Sequence, residues 1–176
     1  PWLRWPARAY IWFFRSVPLL VLLVFVYNLP QIFPATGVVL GIPFLAGLVG
    51  MVMTEAAYMA EIHRGGLLSV AKGQREAAHA LGLGWFATQV RIVLPQALRT
   101  AVPALSNSLI GMIKDTSLAS NITVAELFMA GQRVAARTYI FLPIYCEVAV
   151  VYLLFCTVIT KLQSLLERHL NARGSQ

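Results

Sequence analysis

The sequence is short of charge. Only 12% of its 176 residues are Asp, Glu, Lys or Arg, about half of the roughly 25% typical of a soluble domain. Acids are scarcer than bases, seven against fourteen, which leaves a formal net charge of +7. With 59% hydrophobic residues and a mean hydropathy of +0.72, these shortages exclude an ordinary soluble domain and describe an integral membrane protein. Cysteine is nearly absent. Cys146 and Cys156 lie ten residues apart in one apolar segment, fit no metal-ligand spacing, and read as small buried hydrophobes. The three histidines, His63, His79 and His169, form no metal cluster and lie outside the apolar runs. Ser106 and Ser108 therefore have no base at their depth, which argues against an intramembrane hydrolase. The chain also lacks a Gly-rich loop with a phosphate-binding lysine, so it does not hydrolyse ATP itself. Its basic residues are dispersed among membrane-length runs, which argues against nucleic acid as a partner.

What is present is a series of apolar helices, so the fold class is all-α and polytopic. Residues 1–14 mix Trp2, Trp5, Tyr10 and Trp12 with Arg4 and Arg8, a composition suited to the headgroup layer. This stretch reads as an interfacial elbow. The run Val17–Leu29 reaches the roughly 20 residues of a span only if its helix begins near Tyr10, with Arg15 snorkelling to the interface. A second span is expected from about Thr36 to Ala60, with Pro43 inside it, since membrane helices tolerate proline when neighbours cover the freed backbone groups. A third runs from about Ala97 to Ile113, and a fourth, carrying Glu147, from about Ile140 to Thr160. Residues 122–137 read as a helix of mixed polarity. Four spans put both visible ends on one side. That side holds eleven of the fourteen bases (Arg4, Arg8, Arg15, Arg64, Lys72, Arg75, Arg91, Arg99, Lys161, Arg168 and Arg173), against Lys114, Arg133 and Arg137 on the other. The positive-inside rule assigns the richer side, with the C-terminus, to the cytoplasm.

The longest polar interval, Glu61 to Pro95, falls on that cytoplasmic side. Within it Gln74–Leu81 reads as a short helix with Glu76 in its first turn, where the helix dipole favours an anion. Gly82 and Gly84 stop that helix, and Trp85–Leu94 forms a second one, ended by Pro95. Ala77, Ala78, Leu81, Trp85 and Phe86 give this loop an apolar content that suggests a docking surface.

Its residues also have a recognisable spacing. Glu76-Ala77-Ala78, then three residues, Gly82, nine residues, Ile92, one residue and Leu94-Pro95 is similar to the EAA loop of the membrane subunits of bacterial ABC importers. Arg64-Gly65-Gly66, Lys72-Gly73-Gln74, Lys114-Asp115-Thr116-Ser117-Leu118 and Ala125-Glu126-Leu127 resemble the polar amino-acid permease branch. The resemblance implies a type I importer transmembrane fold in one permease domain, residues 1–176, with residues 61–95 as the cytoplasmic coupling loop. Such subunits usually have five or more spans, so a further N-terminal span is expected ahead of Pro1. It also implies an inner-membrane location, a second permease subunit, an extracytoplasmic substrate-binding protein and a cytoplasmic ATPase dimer. ATP and Mg would belong to that dimer, and this chain would carry no cofactor. Ser16 stands where the branch commonly has glycine.

Under this resemblance the ATPase-coupling candidates are Arg75, Glu76, Ala77, Ala78, His79 and Gly82. For the substrate pathway, an amino-acid zwitterion needs an anionic partner for its ammonium and donors for its carboxylate. Lys114, Asp115, Thr116, Ser117, Asn107 and Glu55 supply those chemical types. Lys114 and Asp115 read equally as an interfacial ion pair anchoring a helix end, and Asn107 as an interhelical hydrogen-bond partner. A permease for a different solute shares the same loop. A self-sufficient secondary transporter is disfavoured by the short chain, the docking loop and the lack of an internal repeat.

Overall fold

The computed structural model describes the backbone of residues 2–172 and the side chains of residues 2–165 and 167. The charges of Arg168 and Arg173 and the ring of His169 lie outside these described parts. Nine α-helices follow in order among the described residues: α1 Arg4–Ser16, α2 Leu19–Asn28, α3 Gly37–Leu40, α4 Pro43–Ser69, α5 Lys72–Ala80, α6 Trp85–Thr88, α7 Leu94–Asp115, α8 Leu127–Thr138 and α9 Phe141–Ala172. No strand occurs among them.

Two prolines reset the first two expected spans. Pro18 has no N–H to donate and its ring disfavours helical geometry at the preceding residue. Val17 accordingly lies at φ −83°, ψ 130°, and α1 and α2 meet at 106°. The single helix expected from Tyr10 to Leu29 is therefore two helices at nearly right angles. Pro43 acts in the same way on Ile42 (φ −96°, ψ 115°) and becomes the first residue of α4. The second span thus begins at Pro43, not Thr36, and runs unbroken to Ser69, so the residues from Glu61 onward are its last turns. By length and composition α4 and α9 can cross a membrane, and the bent α1–α2 pair adds at most a third crossing. The third expected span, α7, has 22 residues, but Arg99, Ser106, Asn107 and Ser108 dilute its apolar character.

Pro95 does not end a helix as expected. Leu94 stays helical at φ −61°, ψ −45°, and a π-helical turn over Gln89–Val93 leads directly into α7. That wider turn opens the hydrogen-bond ladder where proline has no donor and its ring needs room.

The packing is centred on α4, which contacts α1, α2 and α7. Phe14, Leu22, Val26, Ala46 and Ala57 form its buried core, and the Tyr10 hydroxyl donates to the Met53 carbonyl at 2.6 Å. Close approach of α4 to α7 depends on Gly66, where a Cβ would stand 2.8 Å from the Ala97 carbonyl oxygen and 3.2 Å from the Ala101 Cβ. Helix α9 packs on α7 and α8, fixed by Glu126. The Glu126 carboxylate caps α8 by accepting from the Phe128 N–H at 2.7 Å and the Met129 N–H. It also accepts from the Tyr152 hydroxyl of α9 at 3.0 Å. The rest of α9 exposes Leu153, Leu154, Phe155, Val158 and Leu162, a continuous apolar surface that requires lipid or another subunit. Cys146 lies on this helix and is exposed, contrary to the expectation of burial, because its helix turns that face outward.

Candidate functional site

Two regions gather residues singled out in the sequence. The first is the turn between α4 and α7. Helix α5 starts at Lys72, two residues earlier than expected, so Glu76 sits mid-helix and not in the first turn. The helix dipole therefore does not hold Glu76, and its exposed carboxylate is available to meet something outside the chain. Ala77 and His79 are exposed beside it, while Ala78 is buried. Ala78 therefore serves the internal contact of α5 with the Trp85–Val93 segment, not an outward docking face. Arg75 is also committed inward, donating to the Leu67 carbonyl of α4 at 3.0 Å. Gln96 of α7 donates to Gln74 at 3.3 Å, and Ser69 donates to Thr100 at 3.1 Å. These bonds brace α5 against both long helices.

Gly82 ends α5 as its spacing predicted. It is the one positive-φ glycine among the described residues, at φ +77°. Its N–H donates to the His79 carbonyl at 2.9 Å, and the Leu83 N–H donates to the Ala78 carbonyl at 3.0 Å. This pair of bonds is a Schellman motif. Beyond it Leu81, Trp85 and Phe86 are 82%, 69% and 73% exposed. The turn thus presents three large apolar side chains beside Glu76 on a braced short helix, the form of a docking surface.

The second region is a cleft of about 410 Å³ between the α1–α2 corner, α4 and α7. Helix α4 contributes Met51, Thr54, Glu55 and Tyr58, and α7 contributes Ser108, Gly111, Met112 and Asp115. Both sets follow i, i+3, i+4, i+7, which puts each on one helical face. The corner adds Arg15, whose guanidinium lies 5.5 Å from the centre of the Tyr58 ring and 3.9 Å from the Glu61 carboxylate. Ser108 donates to Glu55 across the α4–α7 contact. Thr54 is buried and donates back to the Gly50 carbonyl at 3.0 Å.

Of the pathway candidates, the fold gathers Glu55 and Asp115 here. Lys114 is exposed and not on the cleft wall. Thr116 lines a separate, mostly apolar cleft of about 380 Å³ with Phe44, Leu48 and Met112. Its hydroxyl donates to Ile113, and that of Ser117 to Lys114, both along their own chain. Asn107 is exposed and on neither wall. Arg15, Thr54, Tyr58 and Ser108 were missing from that candidate set. The spacing of Thr54, Glu55 and Tyr58 was a usable signal, whereas nothing in sequence brings Arg15 to Asp115. The cleft can offer carboxylates to a cation and a guanidinium to an anion, the complement of a zwitterion.

Known proteins resemble this chain in sequence and in fold. Residues 1–172 match the family described as "Binding-protein-dependent transport system inner membrane component". The L-cystine transport system permease protein TcyB of Bacillus subtilis (strain 168) is 42% identical over 170 residues, 96% of this chain and 71% of that protein. The octopine transport system permease protein OccM of Rhizobium radiobacter is 40% identical over 171 residues, 94% of this chain and 70% of that protein. A solved amino acid ABC transporter with histidines superposes at a TM-score of 0.82 with 33% identity, over 92% of this chain and 74% of that one. The methionine transporter MetNI matches at a TM-score of 0.75 and 23% identity, a likeness of fold. The chain is a permease subunit and not an enzyme, and it belongs to the family of inner membrane components of binding-protein-dependent ABC transport systems.

Proposed function

We propose that this chain forms the membrane path of an importer for amino acids, with Glu55, Asp115 and Arg15 lining part of that path. The observation that carries the reading is the cleft, which opposes two carboxylates to one guanidinium in about 410 Å³, within the roughly 300–1,000 Å³ of small-molecule sites. The names of the relatives, cystine and octopine permeases among them, support the same solute class. The energy enters through an ATPase dimer that docks on Glu76, Leu81, Trp85 and Phe86. ATP and Mg are bound there and not by this chain. A second permease subunit completes the path, and an extracytoplasmic binding protein delivers the solute. The excess of Lys and Arg supports an orientation with the α5 turn and the C-terminus in the cytoplasm.

The test is uptake of labelled amino acids, cystine included, by the complex reconstituted with its ATPase and binding protein. Glu55→Gln and Asp115→Asn each lower the maximal uptake rate at least tenfold while the ATPase still copurifies. Wild-type rates in both variants refute the pathway. Uptake of a sugar or oxyanion, with no amino acid carried, refutes the solute class.

A further inference from the structure

A second charged cleft, sharing only Arg15 with the one just described, lies where α1 crosses α4. It measures about 330 Å³ and is lined by Arg8, Ile11, Trp12, Arg15, Glu61 and Arg64. Three guanidiniums line it with one carboxylate; Arg15 also borders Glu55 and Asp115 in the other cleft, which leaves Arg8 as the surplus positive charge here. Glu61 is already engaged by Arg64, whose Nε donates to it at 3.0 Å, and Arg15 stands 3.9 Å from the same carboxylate. One carboxylate cannot neutralise all three bases, so the cleft as it stands favours an anion. Guanidinium forks match phosphate oxygens in geometry as well as charge.

The surroundings narrow what that anion is. Arg8, Trp12 and Arg15 share one face of α1 at i, i+4, i+7. Trp5 and Trp12 of the same helix are largely exposed. The 106° corner with α2 lays α1 along a membrane surface if α2 points into the bilayer. Tryptophan rings beside arginines on a helix in that position are the composition of the headgroup layer. Rings this exposed on a basic helix call for a partner that is apolar as well as anionic, which a lipid headgroup with its acyl region is.

We propose that this cleft is a binding site for the phosphodiester headgroup of an anionic phospholipid, held by Arg8 and Arg64 with Trp12 against the glycerol and upper acyl region. Basic pockets between helices at the cytoplasmic face are the general form of such sites. The leaflet rests on the orientation proposed above, but lipid retention is read without transport. Failure of the site and failure of the pathway are therefore separate results.

The experiment is native mass spectrometry of the assembled permease complex in mild detergent, titrated with phosphatidylglycerol or phosphatidylcholine. Arg15 is left unchanged because it also lines the other cleft. Wild type retains phosphatidylglycerol over phosphatidylcholine. At roughly fivefold per guanidinium near an anionic headgroup, the double variant Arg8→Gln/Arg64→Gln loses about 25-fold in retention. Arg8→Lys/Arg64→Lys, which keeps the charge, retains more than the Gln pair and separates binding from misfolding. Arg133→Gln/Arg137→Gln removes the same charge elsewhere and keeps wild-type retention. Unchanged retention in the Arg8/Arg64 Gln variant, or an equal loss in the Arg133/Arg137 variant, overturns the site. Displacement of the lipid by an equal concentration of inorganic phosphate assigns the cleft to free phosphate. Loss of ATPase copurification with lipid retention intact assigns it to a protein contact.

Discussion

Substitution of Gly82 tests whether the α5 turn works as a rigid docking element. Gly82 lies at φ +77°, and a Cβ added there meets nothing within 4 Å. Bulk is therefore not the obstacle, and the cost of a side chain is confined to the backbone. Holding an ordinary L-residue in the left-handed region costs roughly 1–2 kcal/mol, less for Asn, whose short side chain bonds locally. In the free permease a Gly82→Ala turn relieves that strain by opening the bonds from the Gly82 and Leu83 N–H groups to His79 and Ala78. Docking must close them again, so the strain is subtracted from binding. At about 1.4 kcal/mol per tenfold, the ATPase binds the Ala variant roughly 5- to 30-fold more weakly. The affinity order is Gly, then Asn, then Ala, with Val weakest because its branched Cβ resists positive φ further. The assay is titration of the purified ATPase onto the permease in detergent, followed by ATP-driven uptake in proteoliposomes. Ala binding as well as Gly, or Asn binding no better than Val, refutes the backbone argument.

Three further outcomes follow from packing. Gly66→Val forces α4 away from the Ala97 carbonyl and Ala101 and destabilises by about 1–3 kcal/mol. Gly65→Val, with nothing within 4 Å, is near neutral, so the difference in thermal midpoint between these neighbours reads the α4–α7 contact alone. Glu126→Ala removes the α8 cap and the Tyr152 contact and costs about 1–2 kcal/mol. Tyr152→Phe removes only one bond and costs about 1 kcal/mol, a ranking that denaturant or thermal unfolding in detergent checks. Trp85→Ala combined with Phe86→Ala leaves folding intact, since both rings are exposed, but weakens ATPase binding by at least tenfold; unchanged binding removes them from the docking face.

Much of this protein was legible from local chemistry. Scarcity of charge and long apolar runs established a helical membrane protein, because an exposed backbone cannot be satisfied in hydrocarbon. The spacing from Glu76 to Pro95 pointed to the importer permease family that the match over residues 1–172 shows, and Gly82 was assigned its left-handed stop because only glycine takes that conformation freely. Helix ends at proline were less secure. Pro18 and Pro43 set helix boundaries, whereas Pro95 was absorbed by a π-helical turn. The local rule is the same at all three, and the different outcome rests on whether neighbouring turns can re-pair the backbone.

Which side chains meet was decided by tertiary structure. Glu55 and Ser108 are 53 residues apart yet hydrogen-bonded. Arg15 reaches the cleft of Asp115 because α1 turns sharply at Pro18 and comes back across α4. Lys114 and Asp115 are neighbours in sequence, but α7 sends only Asp115 into the cleft, since consecutive residues on a helix point about 100° apart. Sequence determined the inventory of charges and the places where helices stop. The packing of α1 and α7 on α4 determined which of those charges share a cavity, because proximity across helices depends on interhelical distance and rotation, quantities that no local pattern contains.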